Sequence, residues 1–201
     1  MHLHRPPERG SRDFCQGVLS LMGQIRPHYP VVRLLAAFSR HESALDWAQQ
    51  QACRHWGPLA LTSAVFDFEN TGYYEQTMGT GLKKILLAFA DLVDPAVLVD
   101  AKHQTNDWEE EFRRLHGGSE PRPLNLDPGY VTEAKVVLAT TKDRDHRLYL
   151  ARGIYAEVTL HYQRDRGWQA RPWTYPDYRS PAYHEFFTRC RNYLRERKYA
   201  N

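Results

Sequence analysis

The chain carries only three cysteines in 201 residues, and they stand far apart. Cys15, Cys53 and Cys190 form no C-x-x-C pair, and none sits at zinc-finger spacing from a histidine pair. A disulfide scaffold is therefore not expected, and the cysteine usage fits a reducing compartment. No apolar run approaches the roughly 20 residues that span a bilayer. The short run 17–22 lacks the flanks of a signal peptide, so the expected location is the cytoplasm, with no membrane partner. Charge of one sign is scarce as well. The formal net charge of +3 is too small to argue nucleic-acid binding by itself, because such domains concentrate a basic face. The ten histidines are scattered, so no metal-ligand set is expected, and nothing in the pattern names a cofactor. There is no internal repeat and no low-complexity block. There is also no G-x-x-x-x-G-K-[ST] loop: "GTGLKK" (79–84) lacks both the length and the Ser/Thr that would meet magnesium.

What the chain does have is aromatics with polar tips, twelve tyrosines and five tryptophans, which suit half-wet cores and binding clefts. Residues 1–21, with "HRPPERGSRD", are polar and Pro-broken and read as a disordered extension. Met22 is then an alternative start, and 22–201 reads as a single α+β domain. "VVRLLAAFSR" (31–40) is a dense apolar strand. "HESALDWAQQQACRHWG" has helical apolar spacing and a Gly57-Pro58 stop. "LALTSAVFDF" (59–68) alternates as one strand, 69–81 is a long glycine-punctuated loop, and 82–93 is a strand. Residues 96–105 are open between strand and helix, and Asn106 with Glu109 has capping-box spacing for a helix starting there. Asp127-Pro128-Gly129 reads as a turn. "TEAKVVLATT" is open between a helix capped by Thr132 and a strand. Two strands around Arg152-Gly153, a hairpin at "DRGW", and a helix capped by Ser180 with Pro181 in its first turn complete the chain. The expected fold class is α+β with a mixed or antiparallel sheet. The preferred architecture is a split βαβ (ferredoxin-like) core with a C-terminal hairpin and helix.

Three long stretches go beyond such patterns: "FDFENTGYYEQTMGTGLKK" (66–84), "NLDPGYVTEAKVVLATTKDRDHRLYLARGIYAEVTL" (125–160) and "PWTYPDYRSPAYHEFF" (172–187). Together they resemble the bacterial domain-of-unknown-function family numbered 4416, over about residues 22–190. The resemblance implies no established activity. Some members carry a GTP-binding label, which the missing phosphate loop gives no support here.

The candidate site residues come from the residues themselves. "TKDRDHR" (141–147) is either a solvated turn, neutralised by Asp143 and Asp145, or an anion site. In the second case Lys142 and Arg147 hold the anion and His146 is an acid or base near neutral pH. Strand alternation puts His146 and Arg147 on opposite faces, so only one of them would share a cleft with Lys142. Glu157 is a carboxylate in mid-strand, where it needs a partner, and is a candidate acid/base or ion-pair residue. Asp67, near Tyr73, Tyr74 and Glu75, is a further acid/base candidate. Asp127 is either a turn former or a ligand contact, and Tyr130 either core or a stacking platform. Tyr175, Asp177 and Arg179 in "WTYPDYRS" form either a stacking wall or an aromatic coil that caps the last helix. The functional expectation is a small anionic ligand, a nucleotide or phosphorylated metabolite. The alternative is a non-catalytic RNA- or protein-binding module.

Overall fold

The computed structural model describes residues 27–68, 74–117 and 120–199. The expected tail 1–21, the alternative start at Met22, Cys15 and the loop positions Glu69 and Tyr73 lie outside the described residues.

The core begins with β1 (Val31–Ser39), α1 (Glu42–Trp56), β2 (Leu59–Thr62) and β3 (Phe66–Phe68). A short α2 (Glu75–Met78) leads into β4 (Leu82–Val93), then α3 (Leu98–His116) and β5 (Asn125–Val131). A second set follows: β6 (Lys135–Thr140), β7 (Leu148–Ala151), β8 (Ile154–Gln163), β9 (Gly167–Ala170) and α4 (Pro181–Tyr199). The nine strands form one open sheet in the order β2-β4-β1-β5-β6-β8-β7, with β3 beside β4 and β9 beside β8, and every pairing is antiparallel. The four strands β2-β4-β1-β5, with α1 joining β1 to β2 and α3 joining β4 to β5, are the split βαβ arrangement expected from the sequence. β6 to β9 extend it on the β5 side, and β3 continues the β2 edge along β4.

Both faces of the sheet are covered. Leu35, Ala37, Leu87 and Phe89 pack beneath α1 and α3. Leu34, Ala36, Leu86 and Leu138 pack beneath α4, through Phe186, Phe187, Cys190 and Leu194. That is why β1 reads as a continuous apolar run rather than an alternating one: its residues face a helix on either side. Each fully buried Leu or Phe there contributes about 1.5–3 kcal/mol. Burial also pushes the Cys190 thiol up to about 12, which leaves it an inert core residue.

The local chemistry departs from the sequence reading at four places. Residues 59–68 are not one strand: the Ser63 hydroxyl accepts the Leu86 N–H (2.9 Å) and breaks the run into β2 and β3. α3 does not start at Asn106. Asp94 accepts from the Ala96 N–H (2.7 Å) at a 3-10 turn (Pro95–Val97), and the helix runs on from Leu98 because Ala101, Trp108 and Phe112 extend its apolar face across Asn106. Asp127-Pro128-Gly129 is not a turn but the middle of β5, paired with Ala36, Leu35 and Leu34. Thr132 is not a helix cap. Its hydroxyl accepts from the Ala134 and Lys135 N–H groups and makes the tight turn from β5 to β6, which is a strand because Val136 and Val137 are buried in the sheet.

β5 and β6 are laddered only at Gly129–Leu138, Tyr130–Val137 and Val131–Val136. Toward Asn125 the two strands part. Gly129 sits where they come closest: a Cβ there would lie 2.3 Å from the Val137 carbonyl oxygen. Pro128, just beyond, has no N–H to give to a ladder.

Candidate functional site

The gap between β5 and β6 opens into a cleft on the α4 side of the sheet. The register explains its floor. Lys84 of β4 is paired with Phe38 of β1, Phe38 with Asn125 of β5, and Leu138 of β6 with Glu157 of β8. These side chains, with Asp127 two residues from Asn125, therefore stand on one face across five strands. The 3-10 turn Pro176–Arg179 closes over them with Asp177 and Tyr178. Because β5 and β6 are parted, Lys102 and Asn106 of α3 reach the cleft from the opposite side of the sheet. The inner cleft measures about 150 Å³ and meets an outer lobe of about 250 Å³ walled by Phe68, Tyr74, Tyr175 and Pro176 and edged by Lys142 and Arg144.

The floor is a set of buried ion pairs. Lys84 donates to Asp177 (2.7 Å), with side chains 4% and 9% exposed. Its ammonium also lies 4.5 Å from the Tyr178 ring centre and 4.9 Å from that of Phe68. Arg147 Nε donates to Glu157 Oε2 (2.9 Å), and His146 Nε2 lies 3.2 Å from the same oxygen. Arg147 also donates to the Lys142 carbonyl (3.0 Å), which ties down the turn, and His146 stacks on Trp173. Lys102 donates to the Leu126 carbonyl (2.9 Å) and stands 3.5 Å from Asp127, which accepts from Asn125 (2.8 Å). Behind the floor, Glu109 accepts from the Leu126 N–H (2.7 Å) and from Arg122 (2.9 Å). Burial holds the Glu109 carboxyl above the ordinary carboxylate range, against the pull of Lys102 and Arg122. Tyr178 is 1% exposed. Burial, and then the carboxylates of Asp177, Asp127 and Glu157, hold its phenol well above its ordinary value.

Six of the residues singled out from sequence meet at this cleft: Lys142, Arg147, Glu157, Asp127, Tyr175 and Asp177. His146 joins them through Glu157. The alternation argument that separated His146 from Arg147 fails because β7 begins only at Leu148; both residues sit in the preceding turn and reach one carboxylate. Three residues go elsewhere. Asp67 is exposed and paired with Lys83 (2.5 Å). Tyr130 packs on the α3 side, where burial pushes its phenol up. Arg179 donates to the carbonyls of Arg171, Pro172 and Thr174 and braces the coil before the turn. Sequence reasoning missed Lys84, Lys102 and Arg122. The signal for Lys84 was present: two adjacent lysines opening a strand that is buried on both faces cannot both point to solvent. Nothing local marks Lys102 or Arg122. Among the described residues, no three His, Cys, Asp or Glu side chains gather as a metal-binding group. No helix among them is long and apolar enough to cross a membrane.

The family model described as "Domain of unknown function (DUF4416)" matches residues 30–193. The chain belongs to this family. The match takes in every strand, the cleft and most of α4. No curated protein and no solved structure matches the chain.

Proposed function

We propose that the cleft binds a small anionic ligand, of the size and kind of a nucleotide or phosphorylated metabolite. The observation that carries this reading is the balance of charge around the inner cleft. Lys84, Lys102, Lys142 and Arg147 face Asp127, Glu157 and Asp177, Arg122 is matched by Glu109 behind the floor, and Arg144 adds a further cation at the outer lobe. A concave site with a cationic excess and aromatic walls attracts an anion attached to a planar or apolar body. In this reading Lys142 and Arg144 meet the anion, and Tyr74 and Tyr175 flank the body. Glu157 orients Arg147 at the cleft and holds His146 beside it. Asp67 has no part in it, because it stands outside the cleft.

The test is a thermal-shift series on the full chain with inorganic phosphate, pyrophosphate and mononucleotides. A ligand at about 100 times its dissociation constant stabilises by about 2.7 kcal/mol. The expected result is stabilisation by at least one of these, weakened about tenfold or more in Lys142→Ala/Arg144→Ala. No shift with any of them ends the reading.

A second reading, a protein-binding module, is favoured by the edge strand β7, where Leu148, Tyr149 and Leu150 are 72%, 61% and 41% exposed. An open edge with apolar side chains is a template for a further strand. Leu148→Lys should then abolish any self- or partner association seen by sedimentation velocity. Single-stranded RNA is disfavoured, because both faces of the sheet lie under helices.

A further inference from the structure

The floor of the cleft differs in chemistry from its rim. Each floor cation is matched with an oxygen of the protein: Lys84 with Asp177, Arg147 with Glu157, and Lys102 with the Leu126 carbonyl and Asp127. A phosphate seated among them would meet three carboxylates in a poorly solvated site, and the repulsion would offset much of the attraction. The outer lobe, edged by Lys142 and Arg144, holds one of those carboxylates, Asp177, rather than three. The anionic end of a ligand therefore belongs at the rim, and the inner end must satisfy a different demand.

That demand is set by Tyr178. Its side chain lines the inner cleft and is 1% exposed, and its hydroxyl has no hydrogen-bond partner. A buried hydroxyl left in this state costs about 1–3 kcal/mol. Burial, and then the carboxylates of Asp177, Asp127 and Glu157, keep the phenol protonated, so it is available as a donor. Asp127 is the complementary group. One of its oxygens accepts from Asn125, the other is 3.5 Å from Lys102, and its side chain is 31% exposed, so lone pairs remain open toward the cleft. Tyr178 and Asp127 line the same inner cleft, and the Asp127 charge acts on the phenol; a donor and an acceptor in one neutralised pocket match an uncharged hydroxyl, which accepts from one and donates to the other.

We infer that the inner cleft recognises the hydroxyl-bearing part of the ligand, a sugar or other polyol, through Tyr178 as donor and Asp127 as acceptor, with the phosphate at the Lys142–Arg144 rim. This rests on the anionic-ligand reading and narrows it to phosphorylated polyols, nucleotides among them through their ribose. Tyr178 and Asp127 are then the specificity-determining residues.

The experiment compares two phosphate monoesters on the full chain by calorimetric titration: ribose 5-phosphate and n-butyl phosphate, which has the same charge and no hydroxyls. Wild type is expected to bind the pentose ester about tenfold or more tightly, the worth of a hydrogen bond from the phenol and one to the carboxylate. Tyr178→Phe and Asp127→Asn should each reduce that ratio toward one. Equal binding of the two esters by wild type overturns the polyol inference and leaves the anionic reading standing. Binding of neither ends the anionic reading and this inference with it. A ratio preserved in Tyr178→Phe shows that its hydroxyl is structural only, and overturns its assignment. The wild-type comparison decides the matter even if a variant fails to fold.

Discussion

The buried pair between Lys84 and Asp177 gives the sharpest test of how the cleft is held together. At 2.7 Å, with an effective dielectric near 20, the gross attraction is about 6 kcal/mol. Desolvating two charges costs several kcal/mol for each ion, so the net worth of the pair is far smaller than that figure. Removing one partner is different, because it leaves a bare charge in a site where both side chains are less than a tenth exposed. Lys84→Met and Asp177→Asn should each destabilise by about 3–5 kcal/mol, a fall of roughly 6–20 °C in Tm for a domain of this size. Asp177→Asn should be the milder of the two, because the ammonium keeps the Tyr178 and Phe68 rings. The double variant removes both charges, so it should be more stable than the sum of the two losses predicts, by at least about 2 kcal/mol. Urea unfolding followed by fluorescence of the five tryptophans measures all four proteins. If the losses add to within about 0.5 kcal/mol, the two groups do not act as a pair and the account of the floor is wrong.

Other expectations are simpler. Gly129→Ala drives a Cβ to 2.3 Å from the Val137 carbonyl oxygen, which is backbone and cannot swing away. It should cost about 2–3 kcal/mol or more in a chemical denaturation curve, and an unchanged midpoint would show that the β5–β6 approach is looser than described. Glu109 has its folded-state pKa raised by burial, so its contribution is fully present below the unfolded pKa and is lost as pH rises through the folded value. Glu109→Gln removes that dependence. Relative to wild type it should therefore gain ground as pH rises from the ordinary carboxyl range through the raised folded value, and a difference that is flat or runs the other way refutes the assignment. Thr174→Val removes a buried hydroxyl that donates to the Thr159 carbonyl (2.5 Å) and accepts from the Arg171 N–H (2.7 Å). It should cost about 1–3 kcal/mol in the same assay, with both partners left unsatisfied.

Much of the fold was legible because its signals are local. The run 31–40, the Gly57-Pro58 stop, and Ser180 before Pro181 each write an element boundary into a few residues. The failures came where a distant partner decides. Asp-Pro-Gly is a turn in isolation, yet at 127–129 the pairing with β1 and the parting from β6 make it a strand. Asn106 and Glu109 have capping spacing, yet Glu109 caps the Leu126 N–H in β5 instead. The site divides the same way. Glu157 was flagged because a mid-strand carboxylate demands a cation, and its cation is Arg147. Lys102 and Arg122 escaped notice because only the opening in the sheet brings them to the cleft, and no spacing along the chain encodes that opening.

The short ladder between β5 and β6 also divides the sheet mechanically. On one side stand the four strands of the split βαβ core, on the other β6 to β9, and three backbone pairings join them. α4 lies across the join, packing on Leu34 and Leu86 of one part and on Val136, Leu160 and Trp168 of the other. On the other face Leu98 and Val99 of α3 pack with Tyr130 of β5 and with Val137, Ala139 and Ile154 of the outer strands, so the molecule behaves as two β-structured pieces splinted by a helix on each face. Loosening α4 should release the outer piece before the core melts, so amides of β6 and β8 would exchange with solvent ahead of those of β1 and β4. Whatever occupies the cleft touches both pieces at the point where the backbone does least to join them, and so acts as a further fastening.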